Sequence, residues 1–236
     1  MDRAAAMPDA AAAGPAPAGA CAWSWLGRVA YADGLALQHA LAEERKAGRG
    51  ADRLLLLEHP HVYTLGRQGK PADLLWDAAE RARRGVEVHA IDRGGEITYH
   101  GPGQLVGYPV LDLGGHGRDL HLYVRRLEET LIVALRGWGI AAERAPGLPG
   151  VWVGRDKIAA IGVHVSRWVS THGFALNVDP DLAYFEGIVP CGIRDRGVTS
   201  VRALTGRAPG LPEAARDVAA AFGAVFGVAM REAAGV

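Results

Sequence analysis

The stretch GVWVGRDKIAAIGVHVSRWVSTHGFALNV, residues 150–178, decides the fold class. It contains three β-rich segments, at 150–153, 158–165 and 168–178, with only a few residues between them. Such short separations are typical of strands that lie next to each other in an antiparallel sheet. The stretch therefore predicts a block of antiparallel strands in the second half of the chain.

Around this block, helical and strand-like patterns follow one another without a regular alternation. Apolar residues recur at helical spacing over 31–47, 120–138 and 211–226, and a further helix is predicted at 71–84. Short apolar or alternating runs predict strands at 23–30, 54–57, 61–65, 86–91 and 108–113. This irregular order predicts an α/β (α+β) fold, a single domain with a mixed sheet, rather than a doubly wound nucleotide-binding fold.

The composition excludes several classes of protein. The 236 residues are 49% hydrophobic and 22% charged, which suits one globular domain. The 26 Lys+Arg balance the 26 Asp+Glu, so the chain has no net positive charge to attract a nucleic-acid backbone, which argues against a nucleic-acid-binding protein. No apolar run reaches the roughly 20 residues of a membrane span. Two cysteines cannot build a disulfide framework, and a cytoplasmic location is expected.

The two ends of the chain differ in composition. Residues 1–20 are rich in Ala and Pro and have no apolar periodicity, so we expect a disordered extension that can be removed without loss. Residues 21–236 are expected to form the catalytic domain.

A glycine-rich block, RGGEITYHGPGQ, occupies residues 93–104. Its four glycines would let the backbone approach a ligand closely, and free N–H groups could cradle an acyl carbonyl or a phosphate. It is not a P-loop, because no G-K-[ST] follows. A tight hairpin with glycines at its turns is an equally good interpretation of the block alone.

Lys157 stands out because lysine is scarce. Only three of the 26 basic residues are lysine, and the other 23 are arginine. A lysine retained in such a chain suggests a need for an amine that can release its proton, which a guanidinium does not do. Lys157 also precedes a β-type apolar segment, where a solvated edge lysine is the ordinary alternative.

Cys191 lies in the turn-like sequence IVPCGI, between a proline and a glycine. A turn presents the sulfur to a substrate, and a thiolate is a good nucleophile for acyl transfer. Cys21 has no such context and is interpreted as incidental. His59 and His61 share one face of a strand but have no third ligand nearby in the sequence, so no metal is expected.

Three blocks in this order resemble the lipoyl(octanoyl) transferase family. They are RGGEITYHGPGQLVGYPVLDL at 93–113, GVWVGRDKIAAIGVHVSRWVSTHGFALNV at 150–178 and FEGIVPCGIRDRGVTSV at 185–201. The resemblance covers about residues 23–205 and implies the fold of the biotin and lipoate protein ligases. It also implies transfer of an octanoyl group from octanoyl-acyl carrier protein to a lysine of a lipoyl domain, on 2-oxoacid dehydrogenases or the glycine cleavage H protein.

The resemblance also assigns roles to individual residues. It implies Cys191 as the nucleophile that carries the acyl thioester, and Lys157 as the partner that lowers the pKa of the thiol and shuttles protons. It implies substrate contacts for three groups of residues: Arg93, Gly94, Gly95, Glu96, Ile97, Thr98, Tyr99 and His100; Ala160, Ile161 and Gly162; Gly173, Phe174 and Ala175. No cofactor is implied, since a thioester intermediate conserves the energy that a ligase would take from ATP.

Three alternatives stay open at this point. An ATP-dependent lipoate or biotin protein ligase would share Lys157 but would not need Cys191. A cysteine hydrolase would pair the thiol with His100 or His172 as a base. A module that only binds acyl carrier protein or lipoyl domains would have an inert site.

Overall fold

The computed structural model describes residues 19–189 and 196–233. Within these residues the strands are β1 (Ala20–Arg28), β2 (Arg53–Glu58), β3 (Val62–Leu65), β4 (Glu87–Ala90), β5 (Ile97–His100), β6 (Gln104–Val110), β7 (Glu143–Ala145), β8 (Leu148–Val153), β9 (Asp156–Ser166), β10 (Val169–Asn177) and β11 (Ala229–Glu232). The helices are α1 (Tyr31–Lys46), α2 (Ala78–Arg83), α3 (Leu120–Gly137), α4 (Val201–Thr205) and α5 (Leu211–Phe226). Cys191 lies outside the described residues, as do residues 1–18 of the predicted extension.

The strands form a large mixed sheet and a small one. The large sheet has the order β11-β1-β2-β6-β10-β9-β8-β7, and the small sheet has the order β4-β3-β5. Strand β1 is parallel to β2 and β11, whereas the pairs from β2 to β7 are antiparallel. The mixed-sheet α/β fold and its antiparallel block at β8–β10 are therefore confirmed.

Strand β2 shows how helices cover both faces of the large sheet. Its side chains alternate between the two faces, as the twofold period of a strand requires. Leu54 and Leu56 belong to the main core with α3 and α5, whereas Leu55 and Leu57 pack beside Leu37 of α1. A run of four leucines thus indicates a strand that is buried on both sides.

The single helix predicted at 71–84 is wrong. The structure has a short 3₁₀ turn at Pro71–Asp73, then extended backbone, and α2 only from Ala78. Leu74 forms a bridge with Ile188 far along the chain, which holds this backbone extended. Asp77 then caps the new helix by accepting a hydrogen bond from the Glu80 N–H at 2.8 Å.

Strand β1 begins at Ala20, inside the predicted extension and three residues before the predicted start at Trp23. Ala20 and Cys21 pair with Ala229 and Met230 of β11, a strand that the sequence analysis did not predict. Cys21 is buried in the main core, with 1% of its surface exposed.

The glycine-rich block crosses from one sheet to the other. Strand β5 pairs with β3 of the small sheet, whereas β6 pairs with β2 and β10 of the large sheet. The two strands are therefore not a hairpin. Gly103 makes the crossing possible, because its φ is +83° and a Cβ there would lie 2.2 Å from the Asp179 carbonyl oxygen.

In the described part of the chain, no helix combines the length and the apolar character that a membrane crossing requires.

Candidate active site

One cleft, the central cleft, collects residues from all three sequence blocks. It lies where the loop before β5 meets β9 and β10. Its predicted members are Arg93, Gly95, Glu96, Ile97, Thr98, His100, Lys157, Ala160, Ile161, Gly162, Gly173, Phe174 and Ala175. The fold thus brings together residues that are up to 82 positions apart in the sequence.

Two of the predicted contact residues lie elsewhere. Gly94 lines a neighbouring cleft rather than the central one. Tyr99 is fully buried, and its hydroxyl is hydrogen-bonded to Nδ1 of His61 at 2.9 Å. Thr98 and His100 face the central cleft because neighbouring side chains of a strand alternate, and this alternation turns Tyr99 to the opposite side.

Glycines let the loop at 93–96 lie directly on strand β9. The Gly94 N–H donates to the Val163 carbonyl at 3.0 Å. A Cβ on Gly162 would lie 3.0 Å from the Gly94 carbonyl oxygen, so only glycine fits without a shift. The loop therefore forms a wall of the central cleft.

The Arg93 side chain holds this loop in place. Its guanidinium donates to the Thr64 carbonyl at 2.7 Å, to the Thr64 hydroxyl at 3.0 Å and to the Gly94 carbonyl at 3.0 Å. These bonds tie the loop to strand β3. Arg93 also lines the cleft, so a positioning role accompanies the predicted substrate contact.

Inside the central cleft, the titratable side chains of Tyr31, Tyr108 and His100 are uncharged at neutral pH. Burial lowers the pKa of His100 well below its ordinary value. Burial also raises the pKa values of Tyr31 and Tyr108 well above the ordinary value for tyrosine, so both stay protonated. An interior of this kind is compatible with an apolar acyl chain. The sequence pattern did not predict Tyr31 or Tyr108 as cleft residues, because it indicates only the start of a helix at Tyr31 and a strand at Tyr108.

Lys157 occupies a buried position at the mouth of the central cleft. Only 9% of the surface of Lys157 is exposed, and its Nζ lies 4.8 Å from the centroid of the Trp152 ring, which is a cation–π distance. This burial contradicts the alternative of a solvated edge lysine.

The backbone of Lys157 is paired with the chain that follows the Cys191 segment. Its N–H donates to the Gly197 carbonyl at 2.9 Å, and its carbonyl accepts from the Thr199 N–H at 3.0 Å. Arg196, the first described residue after the segment, lies 4.9 Å from the same Trp152 ring. The residues that follow this segment, from Arg196 to Thr199, therefore lie beside Lys157, while contact between the Lys157 and Cys191 side chains stays a prediction.

A buried amide chain connects His100 to this same region. His100 Nδ1 donates to Gln104 Oε1 at 2.8 Å, and Gln104 Nε2 donates to Asn177 Oδ1 at 3.0 Å. Asn177 Nδ2 donates to the Thr199 carbonyl at 3.0 Å. Because Gln104 donates at its nitrogen, its oxygen must accept, which places the proton of His100 on Nδ1 and leaves Nε2 as an acceptor. Nothing in the sequence pattern distinguished Gln104 or Asn177 as part of such a network.

A second cleft, the outer cleft, joins the central cleft and has a volume of about 420 Å³. The two clefts share Gly95, Glu96, Lys157, Ile161 and Gly162. The outer wall is largely apolar and comes from Leu120 and Val124 of α3 and from Leu148 and Pro149. At the junction, Oε2 of Glu96 is buried and makes no hydrogen bond within the described residues. The arrangement offers two apolar chambers with an amine and a carboxylate between them.

Comparisons with known proteins identify similar sequences and a similar fold. Residues 30–223 match the family model of the lipoyl protein ligase A/B catalytic domain. The octanoyltransferase of Solibacter usitatus (strain Ellin6076) is 56% identical over 188 residues, which cover 80% of this chain and 85% of that protein. The octanoyltransferase of Myxococcus xanthus is 51% identical over 207 residues, which cover 85% of this chain and 58% of that protein.

A solved structure shares the architecture. A putative lipoate protein ligase from T. acidophilum superimposes with a TM-score of 0.69, covering 91% of this chain and 88% of that one. The two sequences are only 16% identical, so this likeness concerns the fold alone.

Proposed function

We propose a two-step octanoyl transfer for this chain, which belongs to the lipoyl protein ligase A/B catalytic domain family and is similar to octanoyltransferases over most of its length. The donor is octanoyl-acyl carrier protein, and the acceptor is the ε-amine of a lysine on a lipoyl domain, in lipoate biosynthesis. The acceptor domains are those of 2-oxoacid dehydrogenases and the glycine cleavage H protein. The name of the relatives supports the octanoyl group, and the family supports a lipoyl domain as the acceptor.

In the first step, the Cys191 thiolate attacks the carbonyl carbon of the donor thioester. A new C–S bond forms, the bond to the carrier thiol breaks, and that thiol leaves with a proton. In the second step, the lysine amine of the acceptor attacks the Cys191 thioester, loses a proton and forms an amide, while the Cys191 sulfur leaves. In the first step Lys157 takes the proton of the Cys191 thiol and gives it to the departing carrier thiol. In the second step Lys157 takes the proton of the attacking amine and gives it to the departing Cys191 sulfur.

The position of Lys157 is the observation that carries this proposal. Its side chain stands where the central and outer clefts meet, and its backbone is paired with residues 197 and 199, just beyond the Cys191 segment. An amine at that point is well placed to exchange protons with a thiol in the segment. The central cleft, with its apolar lining residues and the neutral side chains of Tyr31, Tyr108 and His100, suits the octanoyl chain, and the outer cleft suits the arm that delivers or receives it.

Two properties of His100 argue against cysteine hydrolysis with His100 as the base. The Nδ1 proton of His100 is donated to Gln104, and burial disfavours the charged form of the ring. Protonation during turnover would therefore bury an imidazolium, which is costly. Lys157 lies at the junction of the two clefts, with its Nζ 4.8 Å from the centroid of the Trp152 ring.

The reaction is tested by incubating the full-length protein with octanoyl-acyl carrier protein and a lipoyl domain, and by measuring the mass of the lipoyl domain. We expect one octanoyl amide per domain in the absence of ATP. A modification that requires free octanoate or lipoate together with ATP would identify a ligase. Release of free octanoate with an unmodified domain would identify a hydrolase, and no reaction in either mixture would leave only a binding module; each result would contradict the proposal.

A further inference from the structure

A cluster of potential metal ligands lies at the seam between helix α1 and the large sheet. His39 comes from α1, Asp92 precedes the glycine-rich loop, and His172 lies in β10. One ring nitrogen of each histidine and one carboxylate oxygen of Asp92 all lie within 4.8 Å of one another. The sequence does not predict this cluster, because its three residues are far apart in the chain and only the tertiary fold brings them close together.

We propose that His39, Asp92 and His172 bind one divalent late first-row cation of the zinc type. Two imidazole nitrogens and one carboxylate oxygen are a donor set that such ions use, with water in the remaining position. Bonds of about 2.0–2.2 Å place tetrahedral donors about 3.4 Å apart, so the three groups must adjust by about 1 Å. His39 is exposed on the helix surface, and its ring can turn inward to make this adjustment.

Two of the three ligands are already held in place. His172 is 2% exposed, and its Nε2 lies 2.8 Å from Asp92 Oδ1, a hydrogen bond whose proton is released from Nε2 when the cation takes its place. Its backbone has a φ of +57°, which is rare for a residue with a side chain, and its N–H donates to Oε1 of Gln38. Strained backbone of this kind persists where the surrounding structure determines it, and here it aims the imidazole at Asp92.

His164 is the nearest further candidate, but its contacts assign it a different place. Its Nε2 lies 3.6 Å from Asp92 Oδ2, and its Nδ1 accepts a hydrogen bond from Arg67 at 2.8 Å. Since Nδ1 accepts, the ring proton is on Nε2, where it faces the Asp92 carboxylate. His164 therefore supports Asp92 from outside the cation site.

The position of the cluster indicates what a bound cation would do. Asp92 directly precedes Arg93, which lines the central cleft, and His172 is itself one of the residues that line it. His39 belongs to the helix that begins with Tyr31, another lining residue. A cation would tie α1 to both walls and stabilise the cleft without taking part in acyl transfer.

The experiment titrates Zn²⁺ into full-length protein that carries no affinity tag and has been treated with a chelator, using calorimetry and thermal melting. We expect one ion per chain and a higher melting temperature, because the ion binds only the folded chain. Substitution of a residue that only supports a metal ligand typically lowers metal affinity by about 10–100-fold. His39→Gln removes a ligand itself, so it is expected to weaken Zn²⁺ binding by at least about 100-fold. Octanoyl transfer by His39→Gln without added metal is expected to stay at the wild-type rate.

Two matched variants exclude other sources of binding. His121→Gln removes an exposed histidine of α3 and is expected to bind Zn²⁺ like the wild type. Cys191→Ser is also expected to retain binding, because the thiol is not a ligand. The proposal is overturned if the wild type takes up no Zn²⁺, if His39→Gln binds it as tightly as the wild type, or if Cys191→Ser abolishes the binding.

Discussion

Acidification is expected to destabilise this protein through His59. The His59 ring is fully buried; its Nδ1 donates to the Val29 carbonyl at 2.7 Å, and its Nε2 accepts from the Tyr108 hydroxyl at 2.7 Å. Burial lowers the pKa of His59 from 6.5 to about 4. His59 is therefore protonated below about pH 6.5 in the unfolded chain, but only below about pH 4 in the folded chain. Stability from this group is complete above pH 6.5 and falls as the pH drops toward 4.

The size of the effect follows from that gap. The difference between 6.5 and about 4 corresponds to roughly 3–4 kcal/mol at 1.4 kcal/mol per pH unit. Between pH 7.5 and pH 4.5, roughly 2–3 kcal/mol of it is expressed, because the folded ring is still mostly neutral at pH 4.5. This is a large part of the free energy of unfolding of an ordinary domain.

The assay is urea unfolding at both pH values, followed by tryptophan fluorescence, for the wild type and His59→Gln. The variant is expected to be less stable at pH 7.5, but its loss of stability on acidification is expected to be smaller than the wild-type loss by roughly 2–3 kcal/mol. His100, which burial also keeps neutral, is present in both proteins, so its contribution largely cancels in the difference. An equal loss in the two proteins would refute the reasoning.

Three further predictions concern the proton carrier, the cleft and the first strand. Lys157→Arg keeps the positive charge but not the exchangeable proton, so turnover in a steady-state transfer assay is expected to fall by roughly 10²–10⁴-fold. Gly107→Ala would place a methyl group 2.1 Å from the Phe174 ring. Thermal melting is expected to show about 1–3 kcal/mol of destabilisation, and transfer kinetics a higher KM for the donor. A chain that starts at Gly19 is expected to keep its melting temperature and activity, whereas one that starts at Ala22 loses two strand pairs with β11 and melts several degrees lower.

Each of these predictions has a control or a result that contradicts it. Near-wild-type turnover of Lys157→Arg, with the thiol still alkylated at moderate pH, would reduce the lysine to an electrostatic role. Gly115→Ala is the control for Gly107→Ala, because a methyl group there meets nothing within 4 Å. Equal melting temperatures of the two shortened chains would mean that the Ala20 and Cys21 pairs contribute nothing to stability.

The fold was predictable where the local pattern is strong. The helix at 211–226 has the predicted ends, and the leucines at 54–57 form the predicted buried strand. Prediction failed where distant residues decide the backbone. The bridge from Leu74 to Ile188 interrupts a plausible helix, and the four-residue strand β11, whose residues are mostly exposed, has too little pattern to be recognised.

The site was predictable mainly through the family resemblance. It named residues from three blocks that the fold brings into one cleft, but it did not include Tyr31 or Tyr108, whose place depends on how α1 and β6 pack. Strand alternation, applied to Thr98–His100, would have turned Tyr99 away from the cleft. The predicted roles of Cys191 and Lys157 stay predictions, because the thiol lies outside the described residues.

Intact-protein mass spectrometry shows whether the octanoyl group passes through a thioester on Cys191. The protein is mixed with octanoyl-acyl carrier protein, isolated rapidly and then supplied with a lipoyl domain. The account predicts one octanoyl adduct that hydroxylamine removes, that Cys191→Ser lacks, and that moves quantitatively to the lipoyl domain. Cys21→Ser is expected to keep the adduct, since burial raises the pKa of the Cys21 thiol to about 12 and leaves it a poor nucleophile. An octanoylated lipoyl domain formed at the wild-type rate by Cys191→Ser would contradict the account.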